Sequence, residues 1–362
     1  MTELEEKTER LVSLMEREDL AGILINSQPN FAWVTCGGSN AIDTSRENGA
    51  ASVLVTREGK RSLLANNIEL RRMLSEVVAE ADFEPIEFSW TDEKTDPQLP
   101  AKLAVSIAGG RVGTESDLEG SIAACRYELT DDEVSRYCEL GRDAGEALGR
   151  VAAIVSPGMT EVEVAELIKF ELGKSGTTSV VTLVAADERI SQYRHPVPTD
   201  RRWNKTLLMV TCARRGGLTA SLSRIAVAGK ASDDLKKRTD AAAVVNASLL
   251  SATRAGATGS QLYETAAAAY TEQGFEDEIK LHHQGGATGY RTRDWVAHPS
   301  SNEVVKLRQS FAWNPSITGT KVEDTVLLLD DGVEVITMTP ELPLIRHVIN
   351  GREFTSAGIL EI

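Results

Sequence analysis

Ser156-Pro-Gly-Met-Thr-Glu-Val-Glu163 is a turn that feeds a helix. Pro157 and Gly158 bend the chain. Thr160 and Glu163, three residues apart, form a capping box whose hydroxyl and carboxylate satisfy the first orphan amides of the helix behind it. That helix is expected to run to about Lys174, with Gly176 as its stop. Upstream, Thr130-Asp-Asp-Glu133 is another capping box, and Val134, Tyr137, Gly141, Ala144, Leu148 and Val151 follow at helical spacing. The pattern then returns. Ser232-Asp-Asp234 opens a helix to about Thr253, Arg254-Ala-Gly-Ala-Thr258 makes the turn, and residues 261–271 are helical to a stop at Gly274. Gly158, Thr160 and Gly176 thus recur 98 residues later as Gly256, Thr258 and Gly274. That offset is too long for a solenoid period. It predicts a duplicated αα-β unit packed about a pseudo-twofold axis. Strand candidates at 179–184, 206–211, 218–227 and 325–329 supply a curved antiparallel sheet, and a concave sheet is a natural place for a site.

Ahead of this unit the chain alternates helix and strand. Residues 3–17 form an amphipathic helix through Leu11, Leu14 and Met15; 21–25 and 51–55 are β-branched apolar runs; 67–78 reads as a helix and 83–88 as a strand. Such alternation implies a layered α/β domain. A boundary near residues 126–130 gives two domains, 1–128 and 129–362.

The 362 residues suffice for two domains, and 41% hydrophobic with 26% charged residues is an ordinary globular composition. A net charge of −15 excludes a basic nucleic-acid footprint and attraction to an anionic membrane. Met1-Thr-Glu-Leu-Glu-Glu-Lys7 is polar, unlike a signal peptide, and no run approaches the ~18 apolar residues of a membrane span. Four cysteines without Cys-x-x-Cys spacing signal neither a zinc knuckle nor a disulfide framework. A cytoplasmic protein with no membrane or nucleic-acid partner is expected.

Four polar clusters accompany the strands: Arg194-His-Pro-Val-Pro-Thr-Asp200, His282-His-Gln-Gly-Gly-Ala-Thr-Gly289, Asn314-Pro-Ser-Ile317 and Val322-Glu-Asp-Thr325. Together with the Pro-Gly-Met-Thr-Glu turn, in this order, they make residues 130–331 resemble the pita-bread family of aminopeptidase P, prolidase, methionine aminopeptidase and creatinase. Asn30-Phe-Ala-Trp-Val-Thr35 and Asn67-Ile-Glu69 make the first domain resemble that family's creatinase-type N-terminal domain. The resemblance implies an α/β N-terminal domain followed by a pita-bread α+β domain.

It also implies two divalent ions held by two aspartates, a histidine and two glutamates, an oxygen-rich cage with an activating role. Those five positions fall on Val210, Ser221, Gly286, Asn314 and Glu323, so only Glu323 survives. No carboxylate lies between Lys205 and Lys230, and a shift of register rescues nothing. No metal and no other cofactor is therefore expected. The family's second histidine falls at Arg293, which cannot act as a base near neutral pH.

What remains resembles creatinase, the family's metal-free hydrolase. By that resemblance His195 handles the proton and Glu323 binds a cationic group or orients water. Ser221-Leu-Ser223 stands where creatinase has a further substrate carboxylate, so the substrate is not creatine. Arg224, Arg291 and Arg293, with the indole of Trp295, suit a planar anion such as a carboxylate. Arg224 also reads as a brace for the sheet, and Trp295 as packing. Asn314 and Ser221 are neutral hydrogen-bonding groups. Cys212 shares a strand face with Val210 and is a candidate pocket thiol or an inert core residue. His282 and His283 lack a third ligand at metal spacing and read as hydrogen-bonding support.

The expected function is a metal-independent, creatinase-like hydrolase of a small carboxylated carbon–nitrogen substrate. The resemblance implies a homodimer whose N-terminal domain closes over the neighbour's bowl, with Asn30 and Trp33 lining the entrance. The alternative is a catalytically inactive pita-bread pseudo-peptidase that serves as a binding module.

Overall fold

In the computed structural model, which describes residues 1–362, the repeated sequence is a repeated backbone. Gly158 and Gly256 hold φ of 97° and 88°, and Gly176 and Gly274 hold 68° and 76°, the left-handed region that glycine enters without a Cβ clash. Thr160 and Thr258 each accept a hydrogen bond from the N–H three residues on, and Glu163 and Gln261 complete both capping boxes. Even the bridge that follows each turn is repeated, Thr160 to Arg202 and Thr258 to Val304. Two helix pairs result, Asp131–Ile154 with Glu161–Gly173 and Asp233–Ala252 with Gly259–Glu272.

The sheets between them come in two parts. One orders the strands Thr178–Ala186, Thr206–Arg215, Leu218–Val227 and the short Ile359–Glu361. The other centres on Gly285–Thr288, Ser310–Trp313 and Asp324–Leu329. All ten residues of Leu218–Val227 are buried, so this strand is covered on both faces. Its serines and arginine must therefore find partners inside the fold. They find them at the seam. Ser223 pairs with Glu323, its N–H donating to the Glu323 carbonyl at 3.1 Å, and Thr325 Oγ1 both accepts from the Ser221 N–H at 2.7 Å and donates to its carbonyl at 2.9 Å. The last segment closes the fold, with Ile359–Glu361 parallel to the end of Leu218–Val227.

Gly141 and Gly145, one turn apart on the first long helix, show why small residues stand there. A Cβ on Gly145 would lie 2.0 Å from the Met338 carbonyl oxygen, and one on Gly141 2.5 Å from that of Ile336.

The chain divides into two units, Met1–Asp132 and Glu133–Ile362. The first has a five-stranded mixed sheet, in the order Glu84–Phe88, Arg61–Asn66, Asn48–Thr56, Gly22–Ser27 and Val112–Thr114, with the helix Glu3–Glu18 ahead of it in the chain. Residues 67–78 do not form the single helix expected. Only Leu70–Arg72 is α-helical before the backbone widens into a π turn over Met73–Val77. Asn30 and Trp33 also depart from expectation. Trp33 is fully buried with the Lys7 ammonium over its ring, and buried Asn30 bonds Glu115 and Arg126. Both are interior supports of their own unit and line no entrance. No helix is long and apolar enough to cross a membrane.

Candidate active site

The two most distinctive motifs explain each other. Glu161, which follows the capping threonine, is buried and turned toward the excursion that leaves the sheet at Asp187. Its carboxylate accepts the N–H of Ala186 at 2.8 Å, the N–H and hydroxyl of Thr199 at 2.9 and 2.7 Å, and a guanidinium bond from Arg189. Asp187 ties the base of the excursion by accepting the N–H groups of Lys205 and Thr206, both at 2.8 Å. A loop held at both ends and in the middle presents His195 at a fixed place, with its ring exposed.

A second segment meets it. Arg194 reaches Glu278 and the Thr318 hydroxyl, fastening the excursion to the segment that leads into His282. Behind His282, the Tyr270 hydroxyl donates to Gln284 Oε1 at 2.6 Å and accepts the Ser316 N–H at 2.9 Å, while Gln284 Nε2 donates to the His282 carbonyl. The result is a triangle of imidazoles. His195 and His282 bring their Nε2 atoms to 3.2 Å, the His282–His283 ring centres lie 4.5 Å apart, and one nitrogen of each of the three lies within 4.8 Å of the others. Ser316 Oγ sits 3.4 Å from His282 Nδ1, and the Gly285 N–H donates to His283 Nδ1 at 3.2 Å.

Glu323 anchors the interior side. It is 3% exposed and receives the Lys321 ammonium at 2.7 Å, Arg293 Nη2 at 3.2 Å and the Ser223 hydroxyl at 2.5 Å. Burial raises the carboxyl, but the two cations and the Lys321 and Ser223 hydrogen bonds outweigh it and hold the pKa near about 2. On the histidines burial and these cations act together, both lowering the pKa. His282 falls to about 2, His283 to about 4, and His195 also falls, by burial first and then by Lys321. All three imidazoles are therefore neutral at neutral pH. Two fixed cations and one carboxylate leave a surplus positive charge beside them.

Several residues singled out in the sequence gather here: His195, His282, Glu323, Arg293, Ser221 and Cys212. Arg293 Nη1 lies 3.4 Å from Ser221 Oγ, and Ser221 donates to Cys212 Sγ at 3.2 Å. Cys212 is buried, which pushes its thiol up, with Glu323 adding to the effect, so it remains a protonated thiol. Asn314 is buried with Oδ1 lacking a hydrogen-bond partner, and it sits at the Gly285 side of the cluster.

Others stand apart. Arg291 places its carbonyl in the turn, accepting from Thr288 Oγ1 and the Gly289 N–H, and the guanidinium on Glu323 is that of Arg293. Trp295 is buried in a T-shaped contact with Phe311, ring centres 5.7 Å apart, and serves as packing. Arg224 braces the seam from the opposite face of its strand. The reading of His282 and His283 as lacking a third ligand needs correction, because His195 supplies one across 87 residues of chain. Sequence spacing could not show a contact made by two loops.

Lys321 was missed altogether. The expected anion-binding cations were Arg224, Arg291 and Arg293, and Lys321 falls just outside the cluster Val322-Glu-Asp-Thr325. Its signal was a lysine two residues before the retained glutamate, at the end of the short strand Thr320–Lys321.

The residues at the family's ligand positions do not fit a pair of metal ions. Val210 lies in an apolar cluster with Leu183, Leu208 and Ile225. Ser221 is turned to Cys212. A Cβ on Gly286 would lie 2.1 Å from the Trp295 carbonyl oxygen, so no side chain of any kind fits there. Lys321 and Arg293 occupy the carboxylate of the one remaining ligand.

Comparison with known proteins agrees with the architecture. The profile of metallopeptidase family M24 matches residues 136–330, and that of the creatinase/prolidase N-terminal domain matches residues 7–135. An uncharacterised peptidase of Staphylococcus aureus is 21% identical over 339 residues, covering 87% of this chain and 96% of its own. The solved Xaa-Pro dipeptidase of Bacillus anthracis superposes with a TM-score of 0.75 at 20% identity, covering 93% of this chain and 98% of its own. The N-terminal domain of the FACT complex subunit SPT16 from chickpea does so at 0.67 and 11% identity, covering 93% and 97%. At these identities the structural likeness is one of fold.

Proposed function

The chain belongs to metallopeptidase family M24, with that family's pita-bread domain behind a creatinase-type N-terminal domain, and from this premise we propose a hydrolase that works without the family's paired metal ions. The observation that carries the reading is the substitution of cation for cation. Lys321 and Arg293 sit on Glu323, the one retained ligand, where the family would place its metal. The substrate is a small molecule with a carboxylate and a carbon–nitrogen bond to be cut.

The surplus positive charge receives the carboxylate or the carbonyl oxygen. As water adds to the carbonyl carbon, the same charge stabilises the oxyanion, an electrostatic role usually worth several kcal/mol. His195, neutral and exposed beside this charge, accepts the proton from water and returns it to the departing nitrogen. Glu323 keeps the two cations aimed. A homodimer, as the family resemblance implies, working in the cytoplasm, as the composition suggests, is part of the proposal.

The test is turnover of proline dipeptides and carboxylated amidines, guanidines and lactams by chelator-treated protein, followed by mass spectrometry. A product that forms in chelator and drops by about 10²–10⁴ in His195→Ala supports the reading. Turnover that requires added manganese or cobalt overturns it. A second reading, the inactive binding module, draws on the fold likeness to the FACT subunit domain. Silence across the panel, with a retained fold, favours that reading.

A further inference from the structure

Three of the five histidines in the chain converge at one place, and nothing in the proposed reaction needs more than one of them. We infer that His195, His282 and His283 form a mononuclear site for a zinc-class divalent ion, separate from the paired-ion centre that the family's ligand positions can no longer build.

The geometry is that of a ligand set. Two imidazole nitrogens bound tetrahedrally at roughly 2.0–2.1 Å from one ion stand a little over 3 Å apart, and His195 Nε2 and His282 Nε2 are 3.2 Å apart. The third imidazole has a nitrogen within 4.8 Å of both, a gap that a ring rotation closes. Their supports resemble those of a metal-ligating histidine. Ser316 Oγ stands at His282 Nδ1, where it can accept a hydrogen bond from Nδ1–H and leave Nε2 with its lone pair. His283 gives up the long Gly285 hydrogen bond to join. The Arg194–Glu278 tie keeps the two segments from drifting apart. With nitrogen ligands alone, the site suits zinc, cobalt or nickel and not magnesium or calcium, which take oxygen.

Lys321 and Arg293 oppose a cation here and Glu323 offsets one of them. Affinity is therefore set below that of an isolated three-histidine site. Because the ion takes the same His195 Nε2 that would accept a proton, metal occupancy and hydrolysis exclude each other. Zinc is thus an inhibitor under the proposed reaction, though binding itself rests on no assumption about turnover.

The full chain, stripped with chelator and dialysed, would be titrated with cobalt(II) and separately with zinc(II), without substrate. One equivalent of cobalt giving the visible bands of a tetrahedral nitrogen-ligated ion is expected, with no sulfur-to-metal band in the near ultraviolet. His282→Ala should weaken binding by about a hundredfold or more, at the upper end of what even supporting groups achieve. Lys321→Met should tighten it severalfold by removing an opposing charge. An equivalent that survives His282→Ala, or a spectrum with thiolate character, overturns the site. So does unchanged affinity in Lys321→Met. Zinc binding together with no turnover of any substrate by the metal-free protein would sink the proposed hydrolase and leave this site standing; turnover by the metal-free protein without zinc binding would do the reverse.

Discussion

Glu323 and Asp324 are neighbours in sequence, both buried and each held by an arginine, yet they lie on opposite faces of one strand and do different work. On Asp324's face one arginine meets one carboxylate, and the guanidinium is fully engaged. Arg224 donates to Thr339 Oγ1 at 2.7 Å, the Ser223 and Glu323 carbonyls at 2.7 and 3.1 Å, Asp324 Oδ1 at 2.7 Å and the Thr337 carbonyl. All five N–H donors of a guanidinium find acceptors there. On Glu323's face there are two cations to one carboxylate, and Arg293 Nε is buried without a partner. A buried pair balanced in charge, with every donor of its guanidinium engaged, is scaffolding. One with spare charge and a spare donor is prepared for a third party.

The largest expected effect belongs to the balanced face. Arg224→Met strands Asp324 in the interior and should remove about 3–5 kcal/mol of stability in urea denaturation. Arg293→Met should remove at most about 2 kcal/mol, because Glu323 keeps Lys321 and Ser223, while weakening any carboxylate ligand about tenfold or more. Equal losses of stability from the two variants would erase the contrast.

Acid sharpens it. The carboxyl of Glu323 sits near 2 in the fold against an ordinary 4.5. A depressed value contributes stability that is fully present above pH 4.5 and is lost as the pH falls toward 2. Glu323→Gln should therefore flatten the part of the stability profile lying in that window, measured by denaturation from about pH 6 to about pH 2. A mutant profile as steep as the parent's would show that Lys321 and Arg293 do not hold this carboxylate. The smallest effect is expected from Cys212→Ala. It should lower stability by about 1 kcal/mol and leave turnover as it was, because a buried, protonated thiol has no part in the chemistry.

The duplicated helix pairs were legible because their signals are local: a capping hydroxyl, a glutamate or glutamine three residues on, and a glycine past the end. Residues 67–78 defeated the same method, since apolar periodicity does not distinguish a short helix that widens into a π turn from one that runs on. That Gly286 and Val210 carry no donor atom was legible too, because it follows from residue type alone. Lys321 and the convergence of His195 with His282 were hidden for the opposite reason. They depend on which loops meet, and the Arg194–Glu278 tie that brings them together joins residues 84 apart.

The close packing at Gly286 has a bearing on redesign. The carbonyl of Trp295 fills the space that any side chain there would need. Installing a histidine at that position would require the backbone to part before the new residue conferred any benefit. A histidine introduced there alone would be blocked by that carbonyl, so one substitution does not restore a ligand at this position.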